Sequence, residues 1–227
     1  MPHKHTVKVY IKNGYYHVYN RGVEKREIFL DDQDYTAFLY LLKYYFSPNQ
    51  KINQHPLTRV SNTTLIRPRP LANVSSEIEL LAYCLMPNHF HLLVKQITSR
   101  GMPKLLQSLI TTYVMYFNRR CDRVGHLFQS TYKAALIQED PHLLHVSRYI
   151  HLNPTELTGS DPVSYPYSSY PYYLGKKKAS WLKPSFILSY FDTSRNQPDL
   201  NKFLSYQEFV EQNEEDPKKT IRSLTID

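Results

Sequence analysis

Cysteine is scarce in this chain of 227 residues: Cys84 and Cys121 are all it has, without close spacing. That excludes a disulfide framework and a cysteine-based metal site, and it suits a reducing cytosol. No apolar run approaches the roughly 20 residues needed to span a bilayer. The polar opening MPHKHTVKVY also lacks the apolar core of a secretory signal. A soluble, cytoplasmic protein with no membrane partner is expected. Acidic residues are in short supply too. Asp and Glu number 20 against 28 Lys and Arg, giving a formal charge of +8 and a pI near 9.3, and such a balance favours a polyanionic partner.

What the chain has in quantity is tyrosine, 20 residues of it, an amphipathic ring that serves core packing and stacking on bases alike. The positive charge is concentrated. From Lys95 to Tyr149, the basic residues Lys95, Arg100, Lys104, Arg119, Arg120, Arg123, Lys133 and Arg148 face only Asp122, Glu139 and Asp140. This segment is the candidate phosphate-facing region. The length accommodates one domain with elaborations, and the expected division is a domain over 1–158 followed by an accessory segment over 159–227.

Strand and helix signals alternate in a definite order. YYHVYN at 15–20 is aromatic and β-branched and runs into Arg21-Gly22, a strand ending in a turn. Asp31 or Asp32 then caps a helix whose apolar face is Tyr35, Phe38, Leu39, Leu42 and Phe46. From Ser47 to Ser76 the chain is polar, broken by Pro48, Pro56, Pro68 and Pro70, and is expected to be an insertion or long loop, with Arg59, Arg67 and Arg69 on it. Strands over 77–86 and 89–96 flank a Pro87-Asn88 turn. A helix over 102–120 carries an apolar stripe of Leu105, Leu106, Leu109, Ile110, Tyr113 and Phe117. A strand over 131–138 follows, then a helix opened by an Asp140 cap with Pro141 at its first position and ended before Pro154. The first six elements match an α+β fold: a ferredoxin-like split βαβ arrangement, with a four-stranded antiparallel sheet backed by two helices and one helix appended. Beyond Pro154 the composition suggests a loosely ordered segment with a short helix near 200–212.

Within MPNHFHLLV, His89 and His91 share one face of a strand and Phe90 and Leu92 the other. Two readings stand side by side here: ligation of a divalent metal, or ordinary hydrogen-bonded packing. A third ligand decides between them. On the appended helix, Tyr149 and Asn153 are one turn apart and share a face. Asn153 can give a carbonyl oxygen, completing a mixed nitrogen and oxygen site tolerable to Mg²⁺ or Mn²⁺, with Tyr149 beside it. His145 falls on the same face and is expected at the surface or behind the ligands, while His142 and His151 are expected to make helix-end contacts.

At these residues the sequence resembles the HUH single-strand endonucleases, and among them the REP-associated, IS200-like tyrosine transposases. The matching blocks occur in order: YNRG at 19–22, IFLDDQDY at 28–35, AYCLMPNHFHLLV at 82–94, YFNRR at 116–120, GHLFQSTYK at 125–133 and RYIHLNP at 148–154. With a trailing SSYPYYLG the coverage runs from about Tyr15 to Tyr173. The resemblance implies a nuclease domain in which His89, His91 and Asn153 hold Mg²⁺ or Mn²⁺ and Tyr149 is the nucleophile. It implies attack on single-stranded DNA at hairpin-containing repeats, a 5′-phosphotyrosine link and a free 3′-hydroxyl that can reverse the reaction. DNA-contacting candidates are Arg21, Arg119, Arg120, Arg123, Lys133 and Arg148. The long insertion departs from the family pattern and bears on substrate choice. The alternative function is an idle hairpin-binding protein, for DNA or RNA, that does not need Tyr149. Monomer and homodimer both remain open, as does whether the tyrosine helix serves its own site.

Overall fold

In the computed structural model the residues described are 10–48, 73–157, 160–192, 203 and 205–212. The expected insertion lies almost wholly outside them, with Arg59, Arg67 and Arg69, and so does the expected boundary after residue 158.

Four strands form one sheet: β1 (Tyr15–Arg21), β2 (Ile78–Met86), β3 (His89–Gln96) and β4 (Lys133–Ile137). Their order is β2-β3-β1-β4, and every neighbouring pair is antiparallel. With α1 (Asp32–Phe46) and α2 (Gly101–Arg120) as crossovers this is the split βαβ arrangement the sequence predicts. The Asp31 carboxylate caps α1 by accepting from the Gln33 and Asp34 amides. The α3 helix (Asp140–Leu152) begins one residue earlier than expected. Glu139 occupies the cap position without a side-chain bond, and Pro141 sits in the first turn, where its missing N–H costs nothing.

Alternation along the strands divides the molecule into two cores. Tyr16, Val18, Phe90, Leu92 and Val94 face α1 and α2 and join Phe38, Leu42, Leu105 and Tyr113 there. On the opposite face Leu93, Cys84 and Ile137 meet Leu144, Val146 and Ile150 of α3. The sheet is therefore covered on both sides, and the histidine face looks at α3.

The described residues after Pro154 differ from the loose order expected of that segment. Tyr170, Tyr173, Trp181, Tyr206 and Phe209 are all buried. The short helices α4 (Tyr170–Tyr173), α5 (Ser185–Leu188) and α6 (Tyr206–Glu211) hang on the outer edge of β2 and on α3. Backbone bonds from Leu85 N to Tyr167 O, Ser169 N to Tyr83 O and Lys183 N to Leu80 O pair that edge strand's free groups. Tyrosine hydroxyls extend the seal, Tyr165 donating to Leu85 O and Tyr173 to Leu81 O. Loose order is what a count of polar residues suggests; here those groups cover a sheet edge.

Candidate active site

The β2–β3 turn is fixed before any histidine is considered. Pro87 O accepts from the Ile28 and Phe29 amides and Asn88 O from the Gly22 amide. Gly22 is required there, since a Cβ would stand 2.2 Å from Arg26 O. The register then sets Arg21 opposite His89 and Tyr19 opposite His91.

Each histidine has its Nδ1 engaged. His89 Nδ1 lies 2.6 Å from Asn88 Oδ1, whose amide nitrogen donates to Lys25 O. That orientation makes Oδ1 the acceptor and His89 an Nδ1–H tautomer, with its lone pair on Nε2. Nε2 in turn faces Asn153 Oδ1 at 3.4 Å. The Asn153 amide nitrogen is spent on Tyr149 O, so its carbonyl oxygen is the atom turned toward the histidine. With His89 in that tautomer, its Nε2 and Asn153 Oδ1 are both acceptor atoms, the kind a cation binds.

His91 is fully buried, and its Nδ1 lies 2.9 Å from His17 Nε2. Its Nε2 is buried with no hydrogen-bond partner among the described residues. Burial holds its pKa well below the usual range, helped by the electrostatic influence of the neighbouring His89, His17 and Arg21 and opposed by Asn153. A neutral imidazole with an unspent nitrogen is what a metal ligand requires. His89, His91 and Asn153 therefore fit a divalent metal by their chemistry, with Asn88 and His17 orienting the two rings from behind. No group of three or more His, Cys, Asp or Glu able to hold a metal occurs among the described residues, so a donor set of His89 and His91 needs an atom of another type, such as the Asn153 amide oxygen.

Tyr149 of the same chain completes the cluster. Its ring stands edge-on to His91, centroids 5.3 Å apart, and to His17 at 5.9 Å. It is 4% exposed. The helix therefore brings its tyrosine to the histidines of its own chain.

The candidate DNA contacts separate into two groups. Arg21 flanks His89, and Lys133 places its Nζ 5.7 Å from the centre of the Tyr19 ring, itself 6.1 Å from His91. Arg119 is exposed at the end of α2, and Arg123 lies nearby against the Phe117 ring. Arg120 is instead bound to Asp31 and Asp34. Arg148 is buried and donates through Nε to Val210 O. For these two the structure provides internal partners.

Of the other histidines of α3, His151 departs from expectation. His151 makes no solvent contact; it is buried between Ser169 Oγ and Tyr206 OH, each at 2.7 Å, and burial lowers its pKa to about 3. His145 stacks edge-on to Phe209, and His142 sits 3.8 Å from Glu139 at the surface.

Two positioning residues escaped the sequence reading. Asn88 was accounted for as a turn residue. His17 has the right alternation to share a face with Tyr19, but only the pairing of β1 with β3 brings it to His91.

Residues 71–153 match the family model described as "Transposase IS200 like", a span that includes His89, His91, Tyr149 and Asn153. No curated protein sequence matches the chain. Among solved structures, the chain is similar to one described as a REP-associated tyrosine transposase bound to a REP hairpin. The identity is 13%, the coverage 78% of this chain and 95% of that one, and the TM-score 0.47.

Proposed function

We propose, from an IS200-like transposase domain over residues 71–153 as the premise, that this protein is a metal-dependent single-stranded DNA endonuclease and strand transferase. The observation that carries the reading is the convergence of His89 Nε2 and Asn153 Oδ1 beside the orphaned His91 Nε2, with the Tyr149 ring against His91. His89, His91 and Asn153 hold Mg²⁺ or Mn²⁺, which when bound polarises the scissile phosphate.

The chain's own residues supply the rest. Tyr149 is the nucleophile: its phenolic oxygen gives up its proton and bonds to phosphorus, and the bond from phosphorus to the 3′ oxygen breaks. The released oxygen takes up a proton as a free 3′-hydroxyl, and the 5′ phosphate stays on the tyrosine. Attack by that hydroxyl on the phosphotyrosine reverses the step and joins strands. Asn153 links the two functions, because its carbonyl faces His89 while its amide holds the backbone of Tyr149. Arg21 and Lys133 supply positive charge beside the histidines for the phosphate. The substrate is a strand carrying a hairpin, as the sequence blocks shared with the REP-associated type imply.

Covalent capture tests this. Incubation with hairpin-bearing single-stranded DNA and Mn²⁺ is expected to give a protein–DNA adduct on a denaturing gel, lost in Tyr149→Phe. Cleavage that continues undiminished in that variant defeats the assignment, and points to hydrolysis by water instead.

A further inference from the structure

On the sheet face away from the histidines, at the covered edge of β2, a cavity of ≈ 550 Å³ opens between α1 and the segment 166–181. Tyr83 opens onto it from β2; its face assignment follows from its place in the core shared with α1 and α2, whereas its neighbour Cys84 faces α3. The volume lies in the range of about 300–1,000 Å³ found for small-molecule sites. Its lining pairs rings with cations. Tyr40, Tyr83, Tyr172 and Trp181 contribute aromatic surface, and Lys43, Lys177 and Lys178 contribute charge, with no Asp or Glu in the lining.

The rings form an ordered platform. Trp181 stacks on Tyr83 with centroids 5.8 Å apart and meets Tyr172 edge-on at 6.3 Å. Trp181 and Tyr83 are buried, so they are held in place; Tyr40 and Tyr172 are half-exposed at the rim. The lysines are exposed. The loop bearing Lys177 and Lys178 is set by Pro171 O, which accepts from the Lys176 and Lys177 amides, and by Gly175 at φ +71°. Fixed rings beside ammonium groups, in a lining without Asp or Glu, are the chemistry that receives a base and its phosphate.

We propose that this cavity binds an unpaired nucleotide of a DNA strand, with the base against the Tyr40, Tyr172 and Trp181 rings and the phosphate on Lys43, Lys177 and Lys178. The proposal rests on the reading that the protein handles single-stranded DNA, and it adds a second contact, remote from cleavage, on the opposite side of the sheet.

Trp181 is the single tryptophan of the chain, so its fluorescence reports on this cavity alone. Full-length protein titrated with a short oligothymidylate at low salt is expected to show saturable quenching. The paired variant Lys177→Glu, Lys178→Glu is expected to raise the half-quenching concentration about tenfold or more, since each lost phosphate contact removes a counterion-release contribution. Both lysines are exposed, and an unchanged circular dichroism melt confirms that the variant folds. An abasic oligonucleotide of equal length and poly-glutamate are expected not to quench. Absence of quenching, equal quenching by either control, or indifference to the lysine pair overturns the proposal. Covalent capture and quenching measured on the same unmodified protein separate the two readings: quenching without any adduct sinks the nuclease assignment alone, and adduct formation without quenching sinks the nucleotide site alone.

Discussion

His17 Nε2 lies 2.9 Å from His91 Nδ1, a contact between residues 74 positions apart that occupies one ring nitrogen of His91 and leaves the other, Nε2, buried with no hydrogen-bond partner among the described residues. The arrangement resembles the carboxylate or carbonyl that commonly stands behind a metal-bound histidine, with an imidazole in that place.

His17→Ala is therefore expected to weaken Mn²⁺ binding by about 10- to 100-fold, measured by calorimetry on the protein without DNA. Asn88→Ala is expected to do the same through His89, whereas Asn88→Asp, which retains an acceptor for His89 Nδ1, restores most of the affinity. Unchanged Mn²⁺ affinity in both alanine variants removes the orienting role.

Two acidic neighbours are expected to differ sharply in their effect on stability. Asp34 is fully buried and accepts from the Leu30 amide, the Tyr116 hydroxyl and Arg120. Asp34→Ala leaves the Leu30 amide and the Tyr116 hydroxyl without this acceptor and Arg120 with Asp31 alone, and urea unfolding is expected to show a loss of about 3–5 kcal/mol. Asp31 is half exposed although Arg120 holds its carboxyl below the usual range. Its side chain is screened by solvent, so Asp31→Asn is expected to cost no more than about 1 kcal/mol. Equal losses would contradict the burial argument.

Stability is expected to fall at alkaline pH. Burial pushes the Tyr35 phenol up to about 12, from an ordinary value near 10. Between those values the unfolded chain ionises this phenol while the folded chain keeps it protonated. The folded state thus binds more protons, and its stability falls as pH rises through that window. Urea midpoints measured across pH 10 to 12 are expected to decline, less steeply in Tyr35→Phe; equal slopes refute the contribution.

The basic residues are expected to sort by experiment as they sort by geometry. Arg21→Gln and Lys133→Gln should weaken single-stranded DNA binding and reduce the salt slope by roughly 0.7 for each phosphate contact removed. Arg120→Gln and Arg148→Gln should instead lower the unfolding midpoint, since their partners are Asp31, Asp34 and Val210 O. A reduced salt slope for Arg148→Gln with normal stability would reverse its assignment.

The element order was legible because its signals are local. Alternating apolar residues mark β3, the Asp31 cap opens α1, and a helical stripe from Leu105 to Phe117 marks α2. The pairing of His89 with His91, and of Tyr149 with Asn153, followed from the same periodicities. His151 and Arg148 did not, because helical spacing tells which residues share a face and not what packs on it; Tyr206 and Val210 come from far along the chain.

By itself the sequence determined the strands and helices, the histidine face and the tyrosine one turn from Asn153, since each rests on spacing within a single element. Tertiary structure alone decided that α3 lies on that face in the same chain, that His17 and Asn88 orient the two imidazoles, and that the C-terminal tyrosines close the edge of β2. These depend on register and on contacts between distant segments. A polar side chain's role is settled only by the partner that folding places beside it.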